Sequence, residues 1–101
     1  MLIVQKYGGT SVGNLERIEE VAKRVIATKD AGHDVVVVVS AMSGVTNQLI
    51  EYAEHFAGVQ PQSADMDMLL SSGERVTSSL LSIALNSKGY KAVSFSGDMA
   101  G

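Results

Sequence analysis

The first third of the chain pairs a short apolar run with a longer segment of helical spacing. Residues 2–6 are mostly apolar and bounded by a glycine pair, which is typical of a buried strand. Residues 14–31 then repeat apolar positions every three or four residues, which predicts a helix with Asn14 as its N-cap and Gly32 as its stop. We predict that this helix buries one face, formed by Leu15, Ile18, Val21, Ala22, Val25 and Ile26.

The next apolar run is five consecutive valines, residues 35–39. β-Branched residues without alternation indicate a strand that is covered on both faces, as in parallel sheets. A second helix is predicted from Thr46 or Asn47, as its cap, to Ala57, followed by a loop at residues 58–64 that holds Pro61. Its predicted inner residues are Leu49, Ile50, Ala53, Phe56 and Ala57.

The last third predicts a long helix, a third strand and the start of a loop. The helix spans residues 65–86 and Gly89 closes it, the strand spans residues 92–95, and residues 96–101 begin the loop. The predicted apolar positions of the helix are Met68, Leu69, Val76, Leu80, Ile83 and Ala84. The order β-α-β-α-α-β predicts an α/β fold, a three-layer αβα sandwich with helices on both faces of a mostly parallel sheet.

Composition narrows the class of protein without identifying it. The 101 residues are 46% hydrophobic and 19% charged, contain no cysteine and carry a net charge of −3. These values indicate an ordinary globular domain, exclude cysteine chemistry and disfavour nucleic acid as a partner. No apolar run is long enough to span a bilayer and no signal peptide is visible, so we expect a cytoplasmic protein without a membrane partner. Because the third strand is barely reached, we expect residues 1–101 to be the N-terminal part of a longer protein.

Three loops rich in Gly, Ser and Thr follow the three predicted strands, at residues 7–13, 40–47 and 95–101. Ligands of open α/β sheets bind beyond the carboxyl ends of the strands, so the loops predict a shared polar pocket. The alternative is that tight turns simply require glycine.

The first loop has the order expected of a phosphate site. Lys6 ends the strand, Gly8 and Gly9 expose backbone amides, Thr10 and Ser11 add hydroxyls, and a helix N-terminus follows. The spacing fits neither a P-loop, whose lysine follows its glycines, nor a dinucleotide fingerprint. A lysine that only protects an edge strand from aggregation is the alternative for Lys6.

Glu74 is a second candidate, because it follows a glycine inside a predicted helix. Glycine costs a helix about 1 kcal/mol relative to alanine, so Gly73 indicates close approach by a ligand or by another backbone. Glu74 could then bind an ammonium group; the alternative is an exposed ion pair with Arg75 near a helix start. His33 and His55 show no metal-ligand spacing with other residues, and we predict that both lie on the surface.

Taken together, four segments resemble the aspartate kinases of the amino-acid kinase family. They are KYGGTSVG at residues 6–13, VVSAMSGVTN at 38–47, LLSSGER at 69–75 and SFSG at 94–97. The resemblance implies that the chain is the N-terminal part of the family's catalytic domain, without the remaining catalytic segments or the regulatory region. It also implies that ATP, with Mg²⁺, phosphorylates the side-chain carboxylate of L-aspartate to 4-phospho-L-aspartate, the first step towards lysine, threonine and methionine.

The resemblance further implies roles for individual residues. The ATP site would comprise Lys6, as the catalytic cation, and Tyr7, Gly8, Gly9, Thr10, Ser11 and Ser40. The aspartate site would comprise Ala41, Thr46 and Glu74, with Glu74 pairing with the substrate amino group. We expect the full-length protein to be a homo-oligomer and the isolated chain to be inactive. Two alternatives remain: a family member that phosphorylates glutamate, carbamate or UMP, and a non-catalytic α/β binding or assembly module.

Overall fold

The computed structural model describes residues 1–57 and 64–95. Residues 58–63 of the predicted loop 58–64 and the segment 96–101 lie outside the described residues, and Ala64 belongs to a helix. The elements, in chain order, are β1 (Leu2–Tyr7), α1 (Leu15–Asp30), β2 (Asp34–Val39), α2 (Val45–Ala57) and α3 (Ala64–Ser87).

The two strands form a parallel pair, which confirms the predicted α/β class. β1 pairs with β2 in a register that runs from Leu2 opposite Asp34 to Tyr7 opposite Val39. Parallel strands need a crossover, and α1 provides it. Both strands therefore end at the same edge, where the first two glycine-rich loops leave the sheet.

The core lies between one face of this sheet and the helices α1 and α3. Ile18, Val21, Ala22 and Val25 of α1 are buried, as predicted. They meet Leu81 and Leu85 of α3 in one hydrophobic cluster, against which the half-buried Tyr7, Val35, Val37 and Val39 pack. The described residues thus contain the sheet and one helical layer.

The prediction that the valine strand is covered on both faces is wrong for the described residues. Val35, Val37 and Val39 point toward the helices, whereas Val36 and Val38 each remain 47% exposed. Successive side chains of a strand point to opposite faces, and α1 and α3 cover only one of them. The valine run was a correct signal for parallel pairing but not for two-sided burial in this part of the chain.

The inner faces of the helices were predicted less well than their existence. Leu15 and Phe56 were assigned to inner faces but are 66% and 89% exposed. In α3 the predicted Met68, Val76 and Ile83 are exposed. The residues that α3 buries are Met66, Gly73, Thr77, Leu81 and Leu85. The face that α3 buries against its neighbours is therefore rotated about the helix axis from its most apolar face.

The predicted strand at residues 92–95 is absent from the described part of the structure. Ala92 bonds to the side chain of Asn86 instead of to a neighbouring strand. Its N–H donates to Asn86 Oδ1 at 3.2 Å, and its carbonyl accepts from Asn86 Nδ2 at 2.9 Å. Both ladder-forming groups of Ala92 are thus already satisfied.

The helix ends follow local signals. Asn14 caps α1 by accepting a hydrogen bond from the Arg17 N–H at 2.9 Å, as predicted. Gly89, with φ of +88°, ends α3 in a Schellman motif, in which the Tyr90 N–H donates to the Leu85 carbonyl. α2 begins at Val45, ahead of the predicted cap at Thr46 or Asn47.

Two further findings concern solvent and membrane exposure. His33, predicted on the surface, is half-buried, and its Nδ1 atom has no hydrogen-bond partner among the described residues. His55 is exposed, as predicted, with its ring against that of Phe56.

None of the helices in the described part of the chain combines the length and hydropathy needed to cross a membrane.

Candidate functional site

The candidate site lies where β1 and β2 end side by side. Tyr7 is opposite Val39 in the parallel register, and the Ser40 N–H donates to the Tyr7 carbonyl at 3.1 Å. The loops that follow the two strands therefore start from adjacent positions. The first two loops therefore lie side by side, whereas the shared polar pocket stays a prediction; the third predicted loop, residues 95–101, lies outside the described residues apart from Phe95.

The first loop is a tight turn in which several backbone amides have no acceptor among the described residues. The Gly8 carbonyl accepts hydrogen bonds from the N–H groups of Ser11, at 3.0 Å, and Val12, at 3.3 Å. Val12, only 1% exposed, anchors the turn in the core. Within residues 1–57 and 64–95, the N–H groups of Gly9 and Thr10 have no acceptor. Such groups are available for an anion.

The two loops also touch directly. A methyl group on Gly9 would lie 3.4 Å from the Ala41 carbonyl oxygen, and one on Gly13 would lie 3.4 Å from Ser43 Cβ. Methyl groups at these two glycines would be in ordinary van der Waals contact with the second loop. The first loop therefore packs beside the second, and the role of its glycines in exposing the backbone to a ligand stays a prediction. Ser43 is a contact that the sequence analysis did not identify.

Gly73 of α3 meets the second loop more closely still. A methyl group there would lie 2.8 Å from Ala41 Cβ and 3.2 Å from Val45 Cγ1. Gly73 therefore lies close to the loop after β2, as its position inside a helix suggested, but the atoms it meets belong to side chains and not to the backbone that was predicted. Thr77, which is fully buried, donates its hydroxyl to the Gly73 carbonyl at 3.2 Å, a contact that only the fold reveals.

This contact brings the two exposed candidates for substrate binding into one neighbourhood. Thr46 follows Val45 and Glu74 follows Gly73, and both side chains are exposed. Glu74 lies inside α3 rather than near a helix start, because the helix begins at Ala64. In the described part of the chain Glu74 makes no ion pair with Arg75, so that alternative interpretation finds no support.

Lys6 and Tyr7 occupy opposite faces of β1. Lys6 is exposed, lies opposite Val38 in the register and forms no ion pair with any described residue. Tyr7 is half-buried, and its hydroxyl donates to Gln5 Oε1 at 2.8 Å. The Tyr7 side chain therefore packs on the helical side, whereas the ammonium of Lys6 is available at the carboxyl end of the strand.

The perturbed titrating groups lie away from this edge of the sheet. A hydrogen bond from Lys88 lowers the pKa of Glu19, and one from Lys29 lowers the pKa of Asp34. The pKa of Tyr90 is raised because its hydroxyl donates to the Asp30 carboxylate at 2.6 Å. These contacts involve α1, the residues after α3 and the start of β2, and they stabilise the scaffold.

The described residues offer no group of three or more His, Cys, Asp or Glu side chains that could hold a metal ion. At the loop edge the described residues offer one ammonium group, amides without an acceptor, hydroxyls and one carboxylate.

Comparison with known proteins gives the family. The model of the amino acid kinase family matches residues 1–100, and the chain belongs to that family. An aspartokinase of Bacillus sp. (strain MGA3) and aspartokinase 2 of Bacillus subtilis (strain 168) are each 57% identical over 100 residues, which is 99% of this chain. The chain spans 24% of the length of either relative.

Solved structures agree with this assignment. The aspartate kinase from Synechocystis superposes with a TM-score of 0.89 at 48% identity, over 94% of this chain and 16% of that one. Aspartokinase III of E. coli, solved in complex with aspartate and ADP, has a TM-score of 0.74 at 21% identity over 88% of this chain and 30% of its own. The second likeness shows the fold alone.

Proposed function

We propose that this chain contributes the phosphate-binding and aspartate-binding edge of an aspartate kinase. In that reaction a carboxylate oxygen of the L-aspartate side chain attacks the γ-phosphorus of ATP. The bond from that phosphorus to the β,γ-bridging oxygen breaks, ADP leaves, and 4-phospho-L-aspartate forms. The aspartokinase relatives support this choice of substrates. A cytoplasmic location is part of the proposal.

One observation carries the proposal: the free amides of the first loop and the Gly73–Ala41 contact lie at one edge of the sheet. The first feature suits an anion, and the second lies one residue from Glu74, whose carboxylate we propose to be directed to the same edge. A site for ATP and an amino acid needs both kinds of group within reach of each other.

The chemistry needs positioning and charge neutralisation rather than a base. The aspartate carboxyl has a pKa of about 3.9, so the nucleophile is ionised at neutral pH. The obstacle is the approach of two anions, which phosphoryl-transfer enzymes overcome by orientation and a positive field. In our proposal Lys6 and the amides of Gly9 and Thr10 stabilise the transferred phosphoryl group, with Gly8, Ser11 and Ser40 beside them. Mg²⁺ would accompany ATP, and this part of the chain assigns it no ligand.

Aspartate binding is proposed for the other side of the edge. Glu74 would accept hydrogen bonds from the substrate ammonium, and Thr46 and Ala41 would lie beside it. A charge-assisted hydrogen bond of this kind contributes about 1.5–3 kcal/mol. The proposal also holds that the isolated chain is inactive, because it spans a quarter of the relatives' length. The activity measured for the isolated chain therefore serves as the baseline for the full-length enzyme.

The test uses the full-length enzyme that carries this segment, assayed for acyl phosphate by trapping with hydroxylamine. For Lys6→Ala we expect kcat to fall about 100-fold to 1,000-fold, because one preorganised charge at the transferred group is lost. For Glu74→Gln we expect the KM for aspartate to rise about tenfold to 100-fold with the affinity for ATP retained. Lys23→Ala and Glu54→Gln remove similar charges from exposed helix positions and should leave both parameters unchanged.

The alternatives predict different outcomes. A non-catalytic assembly module predicts that Lys6→Ala alters oligomerisation with little effect on turnover. A glutamate, carbamate or UMP kinase predicts product only with that acceptor. Either result would contradict the proposal.

A further inference from the structure

The candidate site contains a steric contact whose role goes beyond binding either substrate. Gly73 is buried in the interior of α3, at a position where a methyl group would lie 2.8 Å from Ala41 Cβ. Carbon atoms in contact prefer about 3.5–4.0 Å, so no side chain fits there without movement. A helix interior disfavours glycine by about 1 kcal/mol relative to alanine. The helix therefore tolerates a poor helix former to keep this contact.

Ala41 has neighbours on two sides, and the one at Gly73 is the closer. It is 6% exposed. Its carbonyl oxygen would lie 3.4 Å from a methyl group on Gly9, while its Cβ faces Gly73. The phosphate-side loop, Ala41 and α3 are thus stacked in that order.

The α3 side of the stack has little freedom to relax. Thr77, one turn after Gly73, is fully buried and donates its hydroxyl to the Gly73 carbonyl. One turn further, Leu81 is part of the buried cluster formed with α1. Val45 Cγ1 would lie 3.2 Å from a methyl group on Gly73. A side chain at Gly73 therefore cannot avoid Ala41 by shifting toward Val45.

We propose that Gly73 and Ala41 are positioning residues, whose contact sets the separation between Glu74 and the phosphate-binding loop. This inference rests on the proposed function. An added methyl group at Gly73 has to separate the two segments by on the order of 1 Å, and a misplacement of that size can cost 100-fold in rate. Since the nucleotide side is built on β1, its own geometry is retained.

The test compares variants of the full-length enzyme by kcat, by the KM for aspartate and by the Kd for ATP measured calorimetrically. For Gly73→Ala we expect kcat to fall about tenfold to 100-fold, with the Kd for ATP unchanged. In the double variant Ala41→Gly with Gly73→Ala, the closest clashing group is removed while the contact with Val45 remains, and kcat should recover at least about threefold relative to Gly73→Ala because the two sites are coupled. Ser79→Ala, at an exposed position of α3, controls for helix propensity and should have no effect.

A wild-type kcat in folded Gly73→Ala, or no recovery in the double variant, overturns the inference. If Gly73→Ala does not fold, Ala41→Gly decides alone, because it removes a methyl group without a clash. A lower kcat with an unchanged Kd for ATP then supports positioning, and an unchanged kcat refutes it. These outcomes are separable from the proposed function: if Glu74→Gln raises the KM for aspartate but Gly73→Ala changes nothing, only the positioning role fails.

Discussion

The two faces of the β1–β2 sheet are built from nearly the same residue types and have different environments. On one face Val35, Val37 and Val39 pack against the cluster of α1 and α3. On the other face Val36 and Val38 are 47% exposed, and Leu2 and Val4 are 61% and 64% exposed. An apolar side chain on a strand indicates that the complete fold buries it. It does not indicate which segment of the chain covers it. We call the two faces the covered face and the open face.

The largest expected difference between the faces is in the cost of removing a valine side chain. Val37→Ala should lower the free energy of unfolding by about 1.5–2 kcal/mol, because it removes apolar contact with the helices. Val36→Ala, one residue away on the open face, should cost less than about 0.5 kcal/mol. Urea unfolding of the 101-residue chain measures both. Equal costs in this chain would contradict the assignment of the faces.

The same pair of variants becomes more informative in a protein of the relatives' full length. There we expect the second helical layer of the αβα sandwich to cover the open face, so that the cost of Val36→Ala rises toward that of Val37→Ala. The residue type is the same at both positions. A change in the difference between the two unfolding free-energy losses therefore reports only whether the open face is covered.

A smaller effect is expected from the polar contact on the covered face. Gln5 Nε2 donates to Thr28 Oγ1 of α1 at 2.7 Å, and Gln5 Oε1 accepts from the Tyr7 hydroxyl. Gln5→Ala should lower the free energy of unfolding by about 1 kcal/mol, because partners in a half-buried setting are left unpaired. Lys6→Ala, its neighbour on the open face, should leave it within about 0.5 kcal/mol of the wild type. A larger loss for Lys6→Ala in urea unfolding would show that Lys6 has a structural role.

The faces also show what sequence patterns could predict and what they could not. α1 was predicted within a residue at each end because its signals are local: the Asn14 cap and Gly32, with φ of +97°. The prediction of a strand at residues 92–95 was wrong because a strand needs a neighbour to pair with. The backbone N–H and carbonyl of Ala92 form hydrogen bonds with the Asn86 side chain instead. Burial in α3 followed its tertiary neighbours, which no pattern within the helix encodes.

The candidate site divides in the same way. The strand that ends at Lys6 and the glycine-rich turn after it could be predicted from the sequence, because a strand followed by a tight turn is a local feature. Gly73 was readable as an anomaly, since glycine is unfavourable inside a helix. Its partner, Ala41, was not identified as the contact, because a distance between segments about 30 residues apart depends on the complete packing.

The smallest expected effect is electrostatic and lies at the start of β2. Asp34 accepts a hydrogen bond from Lys29 Nζ at 2.9 Å, and this contact lowers its pKa below the ordinary value of 3.8. A carboxyl with a lowered pKa in the folded state stabilises the fold above its ordinary pKa, and that contribution is lost as the pH falls through the folded pKa. The effect is therefore complete near neutral pH and disappears only in acid. Lys29→Met should return the pKa of Asp34 to its ordinary range, as followed by NMR titration of the carboxyl carbon. Lys23→Met, which removes an exposed lysine of α1 that pairs with Glu20, should leave it unchanged. If the pKa of Asp34 stayed low without Lys29, another group would have to hold the start of β2 against α1.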